Sequence, residues 1–71
     1  MIFYAITNNN SIVTIYINKH DYDVIYDMVM NITNDHQEAE NALNWCELAS
    51  VNEIYEGSCF TIEIFDDCEE I

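Results

Sequence analysis

The chain contains no proline and no arginine, and only one lysine (Lys19) and one glycine (Gly57) in its 71 residues. Each scarcity excludes something. A single glycine cannot build a glycine-rich phosphate loop. A lone ammonium cannot neutralise a row of phosphates, so direct binding to nucleic acid or to an anionic membrane surface is not the expected activity. No apolar run approaches the ~18–20 residues of a membrane span, and no basic, then apolar leader opens the chain. A cytoplasmic protein of one acidic domain, residues 1–71, is the expectation. A chain this short buries only about 60% of its unfolded surface, which leaves no room for separate catalytic lobes.

Cysteine is also sparse. Cys46, Cys59 and Cys68 are odd in number and form no C-x-x-C pair, and neither His20 nor His36 stands beside one of them. Reduced thiols are expected, with no metal and no cofactor. Cys46 and Cys59 belong in or near the core, and Cys68 sits in an acidic tail that disfavours its thiolate.

What is abundant is negative charge: 14 Asp and Glu against one basic residue give a net charge of −13. Highly charged chains poor in apolar residues stay disordered, but here hydrophobic residues make up 51% and aromatics 13%, enough to fold a core. The acidity is therefore carried on an ordered surface, at a cost in self-repulsion.

Ile2 to Thr7 and Ile12 to Ile17 are β-branched and aromatic runs separated by Asn8-Asn9-Asn10-Ser11, the pattern of a β-hairpin. Asn18 to Asp21 reads as a turn, with Asp21 as N-cap of a helix from Tyr22. Ile25, Met28, Val29 and Ile32 then repeat at helical spacing. Thr33-Asn34-Asp35 marks a stop and a new cap, and Asp35 with Glu38 resembles a capping box. A second helix is expected from His36 to Ala49, with Ala39, Ala42, Leu43 and Cys46 inward and Trp45 at the rim. Ser50 to Ser58 reads as a connector whose Val51–Tyr55 piece is extended or helical. Cys59 to Phe65 alternates as a half-buried strand, and Asp66 to Glu70 forms a frayed acidic tail.

The expected fold is α+β: a three-stranded antiparallel sheet with two helices packed on one face, in the order β-β-α-α-β. Pairing of the last strand with the first is expected. Phe3, Ala5, Val13, Ile15, Ile17, Phe60, Ile62 and Ile64 are assigned to the helix side. Ile2, Tyr4, Ile6, Ile12, Thr14, Tyr16, Thr61 and Glu63 then fall on a face that no predicted element covers. An uncovered apolar face of that kind marks a contact surface, and tyrosines are enriched in such contacts.

No catalytic constellation stands out. Ser11, Ser50 and Ser58 occupy turns outside any nucleophile-elbow pattern, His20 and His36 fall at loop or cap positions, and carboxylates are too common for any pair to be informative. The calcium-loop pattern does not occur. An enzyme is not expected. The acidic pattern itself is the better candidate. Residues four apart on a helix lie ~6 Å apart, comparable to the spacing of phosphates along a strand. Asp23 with Asp27, and Glu40 with Glu47, are expected to line up as anions. Glu53, Glu56, Glu63, Asp66 and Asp67 extend the field, and Tyr4 and Tyr16 supply apolar contacts that slow dissociation. The expected partner is a basic nucleic-acid-binding protein; the ordinary alternative is a solvating surface on a module that homodimerises through the outer sheet face.

In size, charge and element order the chain resembles the small acidic inhibitors encoded by bacteriophages and mobile elements: anti-CRISPR proteins, DNA-mimicking anti-restriction proteins and uracil-DNA glycosylase inhibitors. That resemblance implies a stoichiometric inhibitor of a defence nuclease or CRISPR–Cas complex. An antitoxin-like partner of a basic toxin is the neighbouring possibility.

Overall fold

The hairpin signal at the start of the chain gives two paired strands in a computed structural model that describes residues 2–66. Strand β1 (Ile2–Asn8) pairs antiparallel with β2 (Val13–Asn18) in an uninterrupted register from Phe3 opposite Asn18 to Asn8 opposite Val13. The turn closes when the Ile12 N–H donates to the Asn8 carbonyl (2.7 Å). The Asn8 side chain also accepts from the Asn10 N–H (3.0 Å). A 3₁₀ turn (Lys19–Asp21) leads into α1 (Val24–Thr33), which starts later than the sequence suggests. Asp23, not Asp21, stands at its N-cap and makes no side-chain cap bond.

The break between the helices is built as the sequence implies. Asn34 adopts the left-handed conformation (φ 59°), its N–H donating to Met30, and Asp35 caps α2 (His36–Leu48) by accepting from the Gln37 and Glu38 N–H groups. The capping box is not completed. Glu38 instead accepts from the Ser58 N–H (2.7 Å) and Ser58 Oγ (2.8 Å), tying the first turn of α2 to a distant loop.

The expected three-stranded sheet is corrected to four strands. Ile54–Glu56 forms β3, antiparallel to β4 (Phe60–Asp66), and the order across the sheet is β2-β1-β4-β3. A three-residue strand is too short for alternation to be visible, so the sequence leaves Val51–Tyr55 either extended or helical, and the extended alternative holds at its Ile54–Tyr55 end. Tyr55 points inward against Trp45 and Phe60 (ring centroids 5.5 and 5.9 Å).

The face assignment of β1 is reversed. Tyr4 and Ile6 are each only 1% exposed and join Ile17, Phe60, Ile62 and Ile64 beneath Ile25, Val29, Ala39, Ala42 and Cys46. Phe3 and Ala5 take the outer face, opposite Phe65 and Glu63. Both parities of I-F-Y-A-I-T are apolar, so alternation cannot choose between them. The bulkier set goes inside, and the Tyr4 hydroxyl can do so because it donates to the Cys46 carbonyl (3.0 Å). That carbonyl belongs to the last turn of α2, where no backbone N–H of the helix remains to satisfy it. Val13 and Ile15 do face the helix side, but they are about half exposed because β2 ends the sheet.

Candidate functional site

The expected site residues divide between two faces. On the helix layer, Asp23 and Asp27 lie exposed one turn apart on α1, and Glu40 and Glu47 are exposed along α2. Glu40 sits 3.1 Å from His36 Nε2, and Glu47 accepts from the Tyr22 hydroxyl (3.2 Å). The Glu47 charge, and then that bond, raise the pKa of Tyr22 above its ordinary value. Glu53, in the α2–β3 connection, accepts from the Ser50 N–H and is also exposed.

The other residues are on or beside the opposite face. Glu63 pairs across from Ala5 and Ile54, and Glu56 stands opposite Thr61, so both carboxylates share the outer side of the sheet. Asp66 closes β4 opposite Ile2. Tyr16 is 63% exposed on the outer face. Tyr4 is not a surface residue, which corrects its expected role as a contact. Asp67, Cys68 and the remainder of the acidic tail lie outside the described residues. The full set therefore does not form one patch, because the sheet stands between its two halves.

The outer face has its own character. Phe3 stacks on Phe65 (centroids 5.7 Å), Tyr16 meets Phe65 edge-on (5.9 Å), and Thr7 Oγ1 lies 2.9 Å from Thr14 Oγ1. Beside them a shallow basin of about 440 Å³ is lined by Ala5, Thr7, Thr14, Tyr16, Glu63 and Phe65. No described helix or loop residue lines it.

One polar chain was not anticipated. The Tyr26 hydroxyl contacts His36 Nδ1 while His36 Nε2 faces Glu40, so Tyr26, His36 and Glu40 run in series across the helix pair. The i, i+4 spacing of His36 and Glu40 is visible in sequence; Tyr26 joins only through helix packing. The side chains of His36 and Glu40 are 66% and 50% exposed, so water competes at each contact, and the chain clasps α1 to α2. Elsewhere the perturbed groups are held neutral. Burial pushes the Cys46 thiol up to about 12, with Lys19 pulling weakly the other way. Burial likewise raises Tyr4 and Tyr55, helped by Cys46 and Glu38 respectively. None of these offers a thiolate or phenolate nucleophile near neutral pH.

Among the described residues no three His, Cys, Asp or Glu side chains converge as a metal site, and Cys46 and Cys59 are free thiols. No described helix is long and apolar enough to cross a membrane. Comparison with family models, curated proteins and solved structures finds no match to this chain.

Proposed function

We propose that the chain is a non-enzymatic binding protein whose acidic helix layer occupies the cationic, nucleic-acid-binding surface of another protein. The observation that carries this reading is the segregation of charge. Every acidic residue lies at or beyond Asp21, and residues 2–20 hold no acid at all. A coat serving solubility alone has no reason to leave the whole first hairpin without an acid. Electrostatic attraction between the exposed carboxylates of α1 and α2 and a basic groove raises the encounter rate and sets orientation. Isolated exposed ion pairs add only ~0–1 kcal/mol each, so lasting contact needs apolar area as well. The resemblance in size and charge to phage-borne inhibitors makes a CRISPR–Cas effector or another defence nuclease the partner class to examine first.

The Phe3–Phe65–Tyr16 cluster favours a second reading, in which the bare sheet face meets the partner, as an antitoxin-like module meets a toxin. Stacking two copies of this chain on that face is disfavoured, since it brings Glu56 and Glu63 of both into one interface.

Competition distinguishes the two. The purified chain should displace labelled nucleic acid from its target, and the displacement should weaken steeply between 0.05 and 0.5 M NaCl, over which the Debye length falls from about 14 to about 4 Å. Asp23→Lys combined with Asp27→Lys should abolish displacement while the circular dichroism spectrum is retained. Undiminished displacement by that variant would remove the α1 face from the contact.

A further inference from the structure

We infer that β2 is a self-docking edge, through which two copies of this chain pair β2 with β2 antiparallel about a two-fold axis and run their sheets into one.

The two edges of the sheet are unlike. Exposed edges invite another strand, and proteins blunt them with shortness, charge, proline or bulges. The β3 edge has three of these protections: it is three residues long, Glu53 precedes it and Glu56 ends it, and Asn52 and Glu53 both bond to Ile64, a two-against-one bulge. The β2 edge has none. It runs six residues, V-T-I-Y-I-N, with no charge, no proline and an unbroken register to β1. Beside it Val13 is 51% and Ile15 46% exposed. The groove between β2 and α1, about 240 Å³, is lined by Ile6, Val13, Ile15, Met28 and Ile32 among its apolar groups.

Charge selects the occupant. Two bodies of net charge −13 repel wherever acids face each other, and the first hairpin is where the chain has none. The strand also suits its own copy. Residues directly opposite in an antiparallel pair share a face, so a symmetric pairing must centre on a residue. Centred on Ile15, it sets Ile15 against Ile15 of the second copy, Val13 against Ile17 and Thr14 against Tyr16. The half-exposed Val13 and Ile15 are then covered. Centred on Tyr16, it sets Val13 against the Lys19 ammonium and leaves that coverage incomplete. This association is independent of the acidic-face reading above.

Sedimentation equilibrium of the full chain tests it. The mass should move from 8.3 kDa toward twice that value with concentration. Pairing should tighten roughly tenfold as NaCl screens the repulsion of two like-charged bodies, the opposite sign to the salt response expected of a complex with a basic partner. Ile15→Lys, which sets two ammonium groups at the axis, should weaken pairing at least roughly tenfold even though it lowers the net charge. Ile54→Lys at the other edge, with the same change in net charge, should not weaken it. Under mild oxidation Ile15→Cys, a smaller change, should give a disulfide joining position 15 of two chains, identified by peptide mapping against Cys46, Cys59 and Cys68. A chain that stays monomeric at all concentrations and salts overturns the inference. So does a dimer that withstands Ile15→Lys, or one in which Ile15→Cys forms no such link.

Discussion

Tyr4 shows how one side chain joins sheet to helix. Its ring fills the core and its hydroxyl satisfies a carbonyl at the end of α2, so the residue is a structural cap supplied from another layer. Tyr4→Phe keeps the ring and leaves that carbonyl without its partner, and should cost about 1 kcal/mol in urea unfolding. The same corner sets the response to alkali. The Cys46 thiol titrates near 9.0 when exposed and is pushed up to about 12 in the fold, and Tyr4 is raised above its ordinary 10.0. Above pH 9 the unfolded chain releases a proton that the folded chain retains, so the contribution of this corner to stability should be level below about pH 9 and be lost as pH rises toward 12. Urea midpoints at pH 7, 9 and 10 check the sign, and Cys46→Ala should flatten the first part of the fall. Gly57 is a residue whose smallness is needed: a Cβ there would lie 2.2 Å from the ring of the fully buried Phe60. Gly57→Ala should cost about 1–3 kcal/mol by forcing that ring to shift, read as a lowered thermal midpoint.

At the scale of elements, the hairpin tip departs from what its residues prefer. Ile12 holds φ 54° at 83% exposure, a left-handed conformation that costs a β-branched residue about 1–2 kcal/mol and that asparagine tolerates. Ile12→Asn should therefore raise the thermal midpoint, by the equivalent of about 1 kcal/mol. The elements that were legible in sequence are those with a local chemical cause. The hairpin follows from four consecutive Asn and Ser residues between β-branched runs. The helix break follows from Asn34, which accepts the left-handed geometry, and Asp35, which caps. Two features were not legible, for different reasons. β3 is too short to display a period and exists because Tyr55 finds Trp45 and Phe60, contacts made only after folding. The facing of β1 was ambiguous because both of its sides are apolar; the bulkier side is buried, and a hydrogen bond to a residue 42 positions away lets Tyr4 be part of it. The candidate site inherits the same limits: the acids were countable in sequence, but their division between helix layer and outer sheet face follows from the strand order.

For the molecule as a whole, a charge of −13 on 71 residues is a standing destabilisation. Its size depends on screening, so raising NaCl from 0.02 to 0.5 M, which shortens the Debye length from about 20 to about 4 Å, should raise the thermal midpoint of the chain. Sodium chloride is the salt to use, because sulfate also strengthens apolar burial. The double substitution Asp23→Lys with Asp27→Lys changes the net charge from −13 to −9, each site contributing two units. On electrostatic grounds alone it should stabilise the fold at low salt. If the carboxylates of α1 are held for a basic partner, the same variant should lose competition with nucleic acid while gaining in thermal midpoint, and the gain should shrink as salt is added. Stability and binding would then move in opposite directions from one substitution, the mark of charge kept for function against the interest of the fold. A variant that gains stability and binds as before would mean that these acids only solvate the surface.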